Sequence, residues 1–180
     1  MEENLYIRDL INRLARLDAT STWRGGLNPA QMSVLSYLSR ANRFSRSPSQ
    51  VAEYLGSTRG TVSQTFKALA QKGYVTGQGS QTDRRTISFD LTKKGVHAVA
   101  EENLLIAEIS KMDKSAKKKL MEALAAVTRS MLKENGGRAF GICNQCRHFS
   151  ARENGGHCAL LLEDLTISET LKICHEQEAA

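Results

Sequence analysis

Cysteine is missing from the first 142 residues of this 180-residue chain. All four cysteines fall near the end, so sulfur chemistry, where it occurs, is local rather than spread over the fold. Also absent are an apolar run of the roughly 18 residues that a membrane-spanning helix needs and a basic-then-apolar leader, which predicts a cytoplasmic protein with no membrane partner. No glycine-rich loop is built to cradle a phosphate, and no nucleophile stands with a base and an orienting group, so the residues argue against an enzyme.

Charge is unevenly placed. Residues 1–135 hold 21 Lys and Arg against 13 Asp and Glu, while residues 136–180 hold 4 against 6. A chain of this length can bury one core and carry an appendage. The division predicts a basic nucleic-acid reader over 1–135 and a cysteine-rich tail over 136–180.

The basic part is organised around Ser47 to Val75. Ser47, Pro48 and Gln50 give a cap, a first helical position and a capping box, followed by the apolar Val51, Ala52 and Leu55. Gly56 suits a left-handed stop, and Thr58 a second cap. The second helix places Val62, Phe66, Leu69 and Ala70 on one side. Arg59, Thr61, Ser63, Gln64, Thr65 and Lys67 occupy the other, with no acid among them. Hydroxyls, an amide and cations suit the acceptors, donors and methyl groups of a DNA major groove, and Thr58, Arg59, Thr61, Ser63, Gln64 and Lys67 are the candidate contacts.

Beyond Gly73, Tyr74-Val75-Thr76 and the alternating Thr86 to Leu91, with Ile87, Phe89 and Leu91 on one face, predict a hairpin. Its tip is expected over Gly77 to Arg85. A hairpin directly behind such a helix is a wing, and Arg84 and Arg85 are candidates for the minor groove, with Asp83 placed to orient a guanidinium.

At these residues the chain resembles the MarR family of winged helix-turn-helix transcription regulators. The resemblance rests on Asn28-Pro29-Ala30-Gln31 with Val34-Leu35 and Leu38, Val51-Ala52 with Leu55-Gly56, Thr61-Val62-Ser63, Lys72-Gly73, Asp83-Arg84-Arg85 and Leu91-Thr92-Lys93-Lys94-Gly95, and covers about residues 5–132. Ser57, where the family commonly has an apolar residue, and Gly60, where it commonly has serine or alanine, depart from the pattern. The resemblance implies a mainly α, α+β winged fold with dimerisation helices flanking the DNA-binding lobe, and a repressor. It also implies that a small-molecule effector is possible, with Trp23 either lining that site or simply packing.

Elsewhere, amphipathic helices are expected from Leu5 to Leu17, from Pro29 to about Ser39, from Thr92 to about Lys111 and from about Ser115 to Lys133. The outer ones expose more apolar surface than a small winged core covers. A homodimer reading a pseudo-palindromic double-stranded operator follows. Arg40, Arg43 and Arg46 recur every third residue, as phosphate contacts or as a solvated run.

Gly136-Gly137 opens the tail, in which the thiols fall at Cys143, Cys146, Cys158 and Cys174. In a reducing compartment such clustering points to four-thiolate metal ligation, and a segment too short to bury a core of its own has reason to be stapled. Zinc ribbons usually present two Cys-x2-Cys knuckles, whereas iron–sulfur clusters tolerate one knuckle with two distant thiolates. An iron–sulfur cluster, 2Fe–2S or 4Fe–4S, is expected, with zinc as the alternative. The apolar Phe140, Ile142, Phe149, Leu160, Leu161, Leu162, Leu165, Leu171 and Ile173 are expected to shield the site, and Thr166 with Glu169 to cap a short helix delivering Cys174. His148, His157 and His175 are placed as neighbours of the ligands rather than ligands. The tail then reads as a redox or iron sensor, coupled to DNA affinity through the dimer helix to which the two glycines tether it.

Overall fold

The computed structural model describes residues 2–23, 26–79, 87–100, 103–134, 136–138 and 140–178. Helix α1 (Glu3–Ser21) buries none of its residues within the chain. Helix α2 (Pro29–Arg40) starts where Asn28 and Gln31 cap each other, the Gln31 N–H donating to the Asn28 side chain at 2.9 Å and the Asn28 N–H to the Gln31 side chain at 3.2 Å. Val34, Leu35, Tyr37 and Leu38 recur at helical spacing and all are buried.

The same device, Ser47 with Gln50, opens α3 (Pro48–Tyr54). Gly56, at φ +60°, takes the left-handed turn that ends it. Thr58 then caps α4 (Arg59–Gln71) by accepting from the Thr61 N–H at 3.1 Å. Val62, Phe66 and Leu69 are buried as expected, but Ala70 is exposed. The face therefore turns away from the core one residue earlier than the apolar pattern implied, because a lone methyl adds little to an apolar stripe.

The wing pairs β1 (Val75–Gly79) with β2 (Ile87–Leu91), antiparallel, in a register that sets Gly77 opposite Phe89. The first strand thus continues through Gly79, three residues into the segment expected as tip. Without a side chain at Gly77, the Phe89 ring lies across the strand, only 3.2 Å from where a Cβ would stand. Asp83, Arg84 and Arg85 lie outside the described residues.

Helix α5 (Lys93–Ala100) approaches the start of the wing closely, since a Cβ on Gly95 would come within 2.2 Å of the Tyr74 carbonyl oxygen. The single helix expected from Thr92 to Lys111 is two. Asn103 caps α6 (Leu104–Lys111), accepting from the Ile106 N–H at 2.9 Å and donating to Asp18 of α1 at 2.7 Å. An asparagine that finds a cap partner and a tertiary partner at once favours a break over helix continuation. Helix α7 (Lys114–Glu134) follows. Leu10 and Leu14 of α1, Ile106 and Ile109 of α6, and Leu120, Leu124 and Val127 of α7 all stay exposed.

The tail folds into small pieces: β3 (Gly141–Ile142), a 3-10 turn (Cys143–Gln145), β4 (Phe149–Arg152), β5 (Gly155–Cys158), β6 (Glu163–Thr166), α8 (Ile167–Thr170) and β7 (Ile173–Cys174). Strands β4, β5 and β6 form one antiparallel sheet, and β3 pairs with β7. The tail is docked on the winged core rather than held apart from it. Phe140, Ile142 and Ile173 join the cluster of Leu35, Tyr37, Leu38 and Val51, and Ala41 forms a parallel bridge with Ile173.

Candidate nucleic-acid interface and cysteine site

On α4, Arg59, Gln64 and Lys67 are exposed and make no hydrogen bond or ion pair among the described residues, so their polar ends are available to a partner. Ser63 is half-buried on the same helix. Thr58 and Thr61 are less available, because their hydroxyls hydrogen-bond each other at 2.8 Å at the helix start. Thr65 donates its hydroxyl back to the Thr61 carbonyl at 3.0 Å. The Phe66 and Phe89 rings stack between helix and wing, and the Phe89 N–H donates to the Arg46 carbonyl at 3.2 Å.

Two of the three arginines ahead of this unit, Arg43 and Arg46, are engaged in structural contacts. Arg46 bonds Asp90 of the wing and the Ala41 carbonyl. Arg43 bonds Glu163, Glu169 and the Asp164 carbonyl of the tail, with its guanidinium over the Phe44 ring. Of the three, Arg40 alone reaches only its own helix, donating to the Ser36 carbonyl at 3.2 Å. Trp23 is 68 % exposed among the described residues. It also stands off the cleft between α1, α2 and α6 that Asp18, Met32, Val99 and Asn103 line.

All four cysteines line one pocket, together with His148, Phe149, Leu160, Leu165 and Glu176. Three pieces of local structure deliver them: Cys143 opens the 3-10 turn and Cys146 closes it, with the Cys146 N–H donating to the Cys143 carbonyl at 3.1 Å. Cys158 ends β5 opposite Phe149, and Cys174 ends β7 opposite Gly141. The Thr166–Glu169 capping box opens α8 just ahead of Cys174. Cys143 and Cys174 are buried; Cys146 and Cys158 are half-buried. As they stand, no three Cys, His, Asp or Glu side chains among the described residues are grouped as the shell of one metal ion.

The two buried thiols share a proton unequally. A hydrogen bond from Cys143 pulls Cys174 down to about 6 against the effect of burial, with Asn42, the Glu176 backbone and Ser45 helping. The same bond, and then burial, push Cys143 up. Apolar shielding comes from fewer residues than the pattern implied. Leu160, Leu162 and Leu171 are exposed, and Phe140, Ile142 and Ile173 serve the winged core, the Phe140 ring lying 5.3 Å from Tyr54. Phe44, from the α2–α3 turn, packs against the site instead.

The three tail histidines make contacts of their own. His148 faces Glu178, His157 bonds Asp164 at 2.8 Å, and His175 meets Gln50 of α3 at 3.0 Å. What the residue pattern did not reveal is the surface that receives the tail. Asn42 donates to the Cys143 sulfur at 3.2 Å, and Ser45 accepts from the His175 N–H at 2.9 Å. The one local signal was Phe44, a large apolar residue in an otherwise polar turn.

With this geometry, comparison with known proteins has a clear result. Residues 25–86 match the MarR family. A curated relative, the HTH-type transcriptional regulator PapX of Escherichia coli, is 32% identical over 81 residues, which cover 44% of this chain and 49% of that protein. The chain thus spans about half the length of that relative. Among solved structures, a MarR transcriptional regulator from Methanosarcina mazei Go1 superposes with a TM-score of 0.61 at 23% identity, covering 71% of this chain and 97% of that one. MepR of S. aureus, solved as a MepR–DNA complex, superposes at 0.58 and 17% identity, covering 73% and 99%. The winged part of the chain has the MarR fold. Among the described residues no helix is long and apolar enough to cross a membrane.

Proposed function

We propose that the chain is a MarR-type transcription regulator, a homodimer that binds double-stranded DNA through α4 and the wing, and that its tail holds an iron–sulfur cluster whose state sets DNA affinity. The observation that carries the cofactor reading is the convergence of four cysteines, scattered over a mostly polar tail, on one pocket beside the helix-turn-helix. The DNA reading is supported by the acid-free face of α4, by the matched family and by relatives solved as DNA complexes.

A single zinc ion draws four sulfurs to about 2.3 Å of one point. One Cys-x2-Cys knuckle with two distant single thiolates is a spacing that iron–sulfur clusters tolerate, whereas zinc ribbons usually present two knuckles. Such a group would supply one-electron redox chemistry. The chain's own part is to hold it with Cys143, Cys146, Cys158 and Cys174 and to limit solvent with Phe44, Phe149 and Leu165.

The docking of the tail changes the expected route of coupling. Its described contacts run to the α2–α3 turn and to α3, so the signal has a direct path to the helix-turn-helix that does not need the dimer helix.

The test is anaerobic purification with iron and acid-labile sulfide analysis and visible absorbance, followed by operator binding at matched salt for the reconstituted protein, the oxidised protein and Cys158→Ser. Loaded and oxidised forms should differ by about 5–150-fold in affinity, the usual range of such couplings. Equal binding by all three, with the cluster present in the wild type, reduces the tail to a structural module.

A further inference from the structure

We infer that Asn42 is the residue through which the state of the cysteine site is felt by the DNA-reading unit, and that the loaded site is the DNA-binding form. The inference rests on the cofactor reading above and adds its regulation.

Asn42 sits in the turn between α2 and α3 and is 1% exposed. A primary amide buried that deeply is costly unless both ends are partnered, and here the two ends face different structures. The side-chain oxygen accepts from the Phe44 N–H at 3.1 Å, which shapes the turn. The side-chain N–H donates to the Cys143 sulfur at 3.2 Å. The backbone completes the clamp, the Asn42 N–H donating to the Ile173 carbonyl at 2.8 Å and its carbonyl accepting from the Ser45 N–H at 3.1 Å.

Five residues on, Ser47 caps α3. The intervening Ser45 is fully buried: its hydroxyl accepts from the His175 N–H, and its carbonyl accepts from the Tyr37 hydroxyl at 2.7 Å. The turn that seats α3 is therefore bonded on one side to the helix-turn-helix and on the other to Cys143 and the residue after Cys174.

The direction follows from the strength of the sulfur as an acceptor. A neutral thiol accepts weakly, whereas a ligating thiolate is anionic and accepts strongly. Loading the site tightens the bond from Asn42 and with it the turn. Loss of the cluster leaves a buried amide donor poorly satisfied, and the turn relaxes to find it another partner. Hydrogen bonds to the sulfurs also tune the potential of a cluster, so Asn42 is a positioning residue with an electronic signature of its own.

Asn42→Asp separates the two ends. Its carboxylate still accepts from the Phe44 N–H, preserving the turn, but presents an oxygen to Cys143 in place of the donor. In the reconstituted full-length protein, Asn42→Asp should lower the reduction potential of the cluster and shorten its lifetime against a chelator by about 10–100-fold, the usual effect of losing an outer-shell partner. The loaded protein should then bind operator no better than the empty protein, while the empty variant binds as the empty wild type does. Asn42→Gln, which keeps the donor, should restore part of the potential and lifetime.

A variant with wild-type potential, lifetime and loaded-to-empty ratio overturns the inference and leaves the cofactor reading intact. So does tighter operator binding by the empty wild type than by the loaded one. Failure of the wild type to take up iron and sulfide removes the cofactor reading itself. If Asn42→Asp does not fold, Asn42→Ser carries the decision, because its hydroxyl can still accept from the Phe44 N–H but is too short to reach Cys143, and wild-type potential and lifetime there are equally contrary.

Discussion

The ring of Phe66 on the recognition helix lies nearly flat on that of Phe89 in the wing, with centroids 4.1 Å apart and planes inclined by 21°. Offset aromatic pairs of this kind add about 0.5–1.5 kcal/mol to their burial. One contact therefore fixes where the wing stands relative to the helix. Phe89→Ala should cost about 2–3 kcal/mol of stability in urea unfolding, less than a fully buried phenylalanine because this ring is only half-buried. DNA affinity measured where the variant is still folded should also fall, through loss of the wing.

Gln64 and Lys67 are exposed on the same helix but should fail differently. Gln64→Ala is expected to cost about 1–3 kcal/mol at one base pair and relax preference there. Lys67→Ala should weaken all sequences alike and reduce the salt slope of binding by about 1. Competition titrations with operator variants at several salt concentrations check both.

The uncovered apolar faces of α1 and α7, including Leu14, Leu120 and Leu124, predict a dimer. Leu124→Glu should give a monomer in sedimentation at micromolar concentration and abolish high-affinity operator binding. A monomeric wild type that binds its operator fully would contradict the assignment.

Ile173 lies near the end of the chain yet is 7% exposed within the core of the winged part. Ile173→Ala should therefore destabilise the DNA-binding lobe by about 2–4 kcal/mol. The check is the unfolding midpoint of the lobe, followed by wing or α4 probes rather than by the tail's own signal.

Arg43 and Glu169 tie tail to turn, and this tie is pH-sensitive. Burial works against the Glu169 charge, but the Thr166 N–H and Arg43 outweigh it and hold its carboxyl below the usual range. A depressed carboxylate contributes stability above its unfolded pKa, and the contribution is lost as pH falls through the lower folded value. Protection of the tail against proteolysis should thus decline in acid below the ordinary carboxylate range, and Arg43→Ala should lessen that dependence. Arg43 is 41% exposed, so the effect should also weaken with salt.

The helix-turn-helix was legible because its signals are local. Ser47 with Gln50, Gly56 and Thr58 each set a boundary by chemistry acting within four residues. The break at Asn103 was not, since it depends on a bond to Asp18 in another helix. Arg43 and Arg46 read as candidate phosphate contacts because their acidic partners lie far along the chain, at Glu163, Glu169 and Asp90. The four cysteines were visible as a cluster of thiols, and they line one pocket; that Cys143 and His175 meet Asn42 and Ser45 was not, because a polar residue after a helix looks the same whether solvent or protein covers it.

The Ala41–Ile173 bridge has a consequence for how the protein is made. Ser45 and His175 bond across 130 residues of chain, so the turn that seats α3 waits until His175 has left the ribosome. Contacts this distant close slowly, because the entropy of the intervening loop must be overcome first. A nascent chain can fold α2, α3 and α4 early, but their packing is finished only once residues 173–175 have emerged. Premature termination anywhere in the tail then yields a DNA-reading lobe with exposed apolar surface, a substrate for chaperones and proteases rather than an unregulated DNA binder.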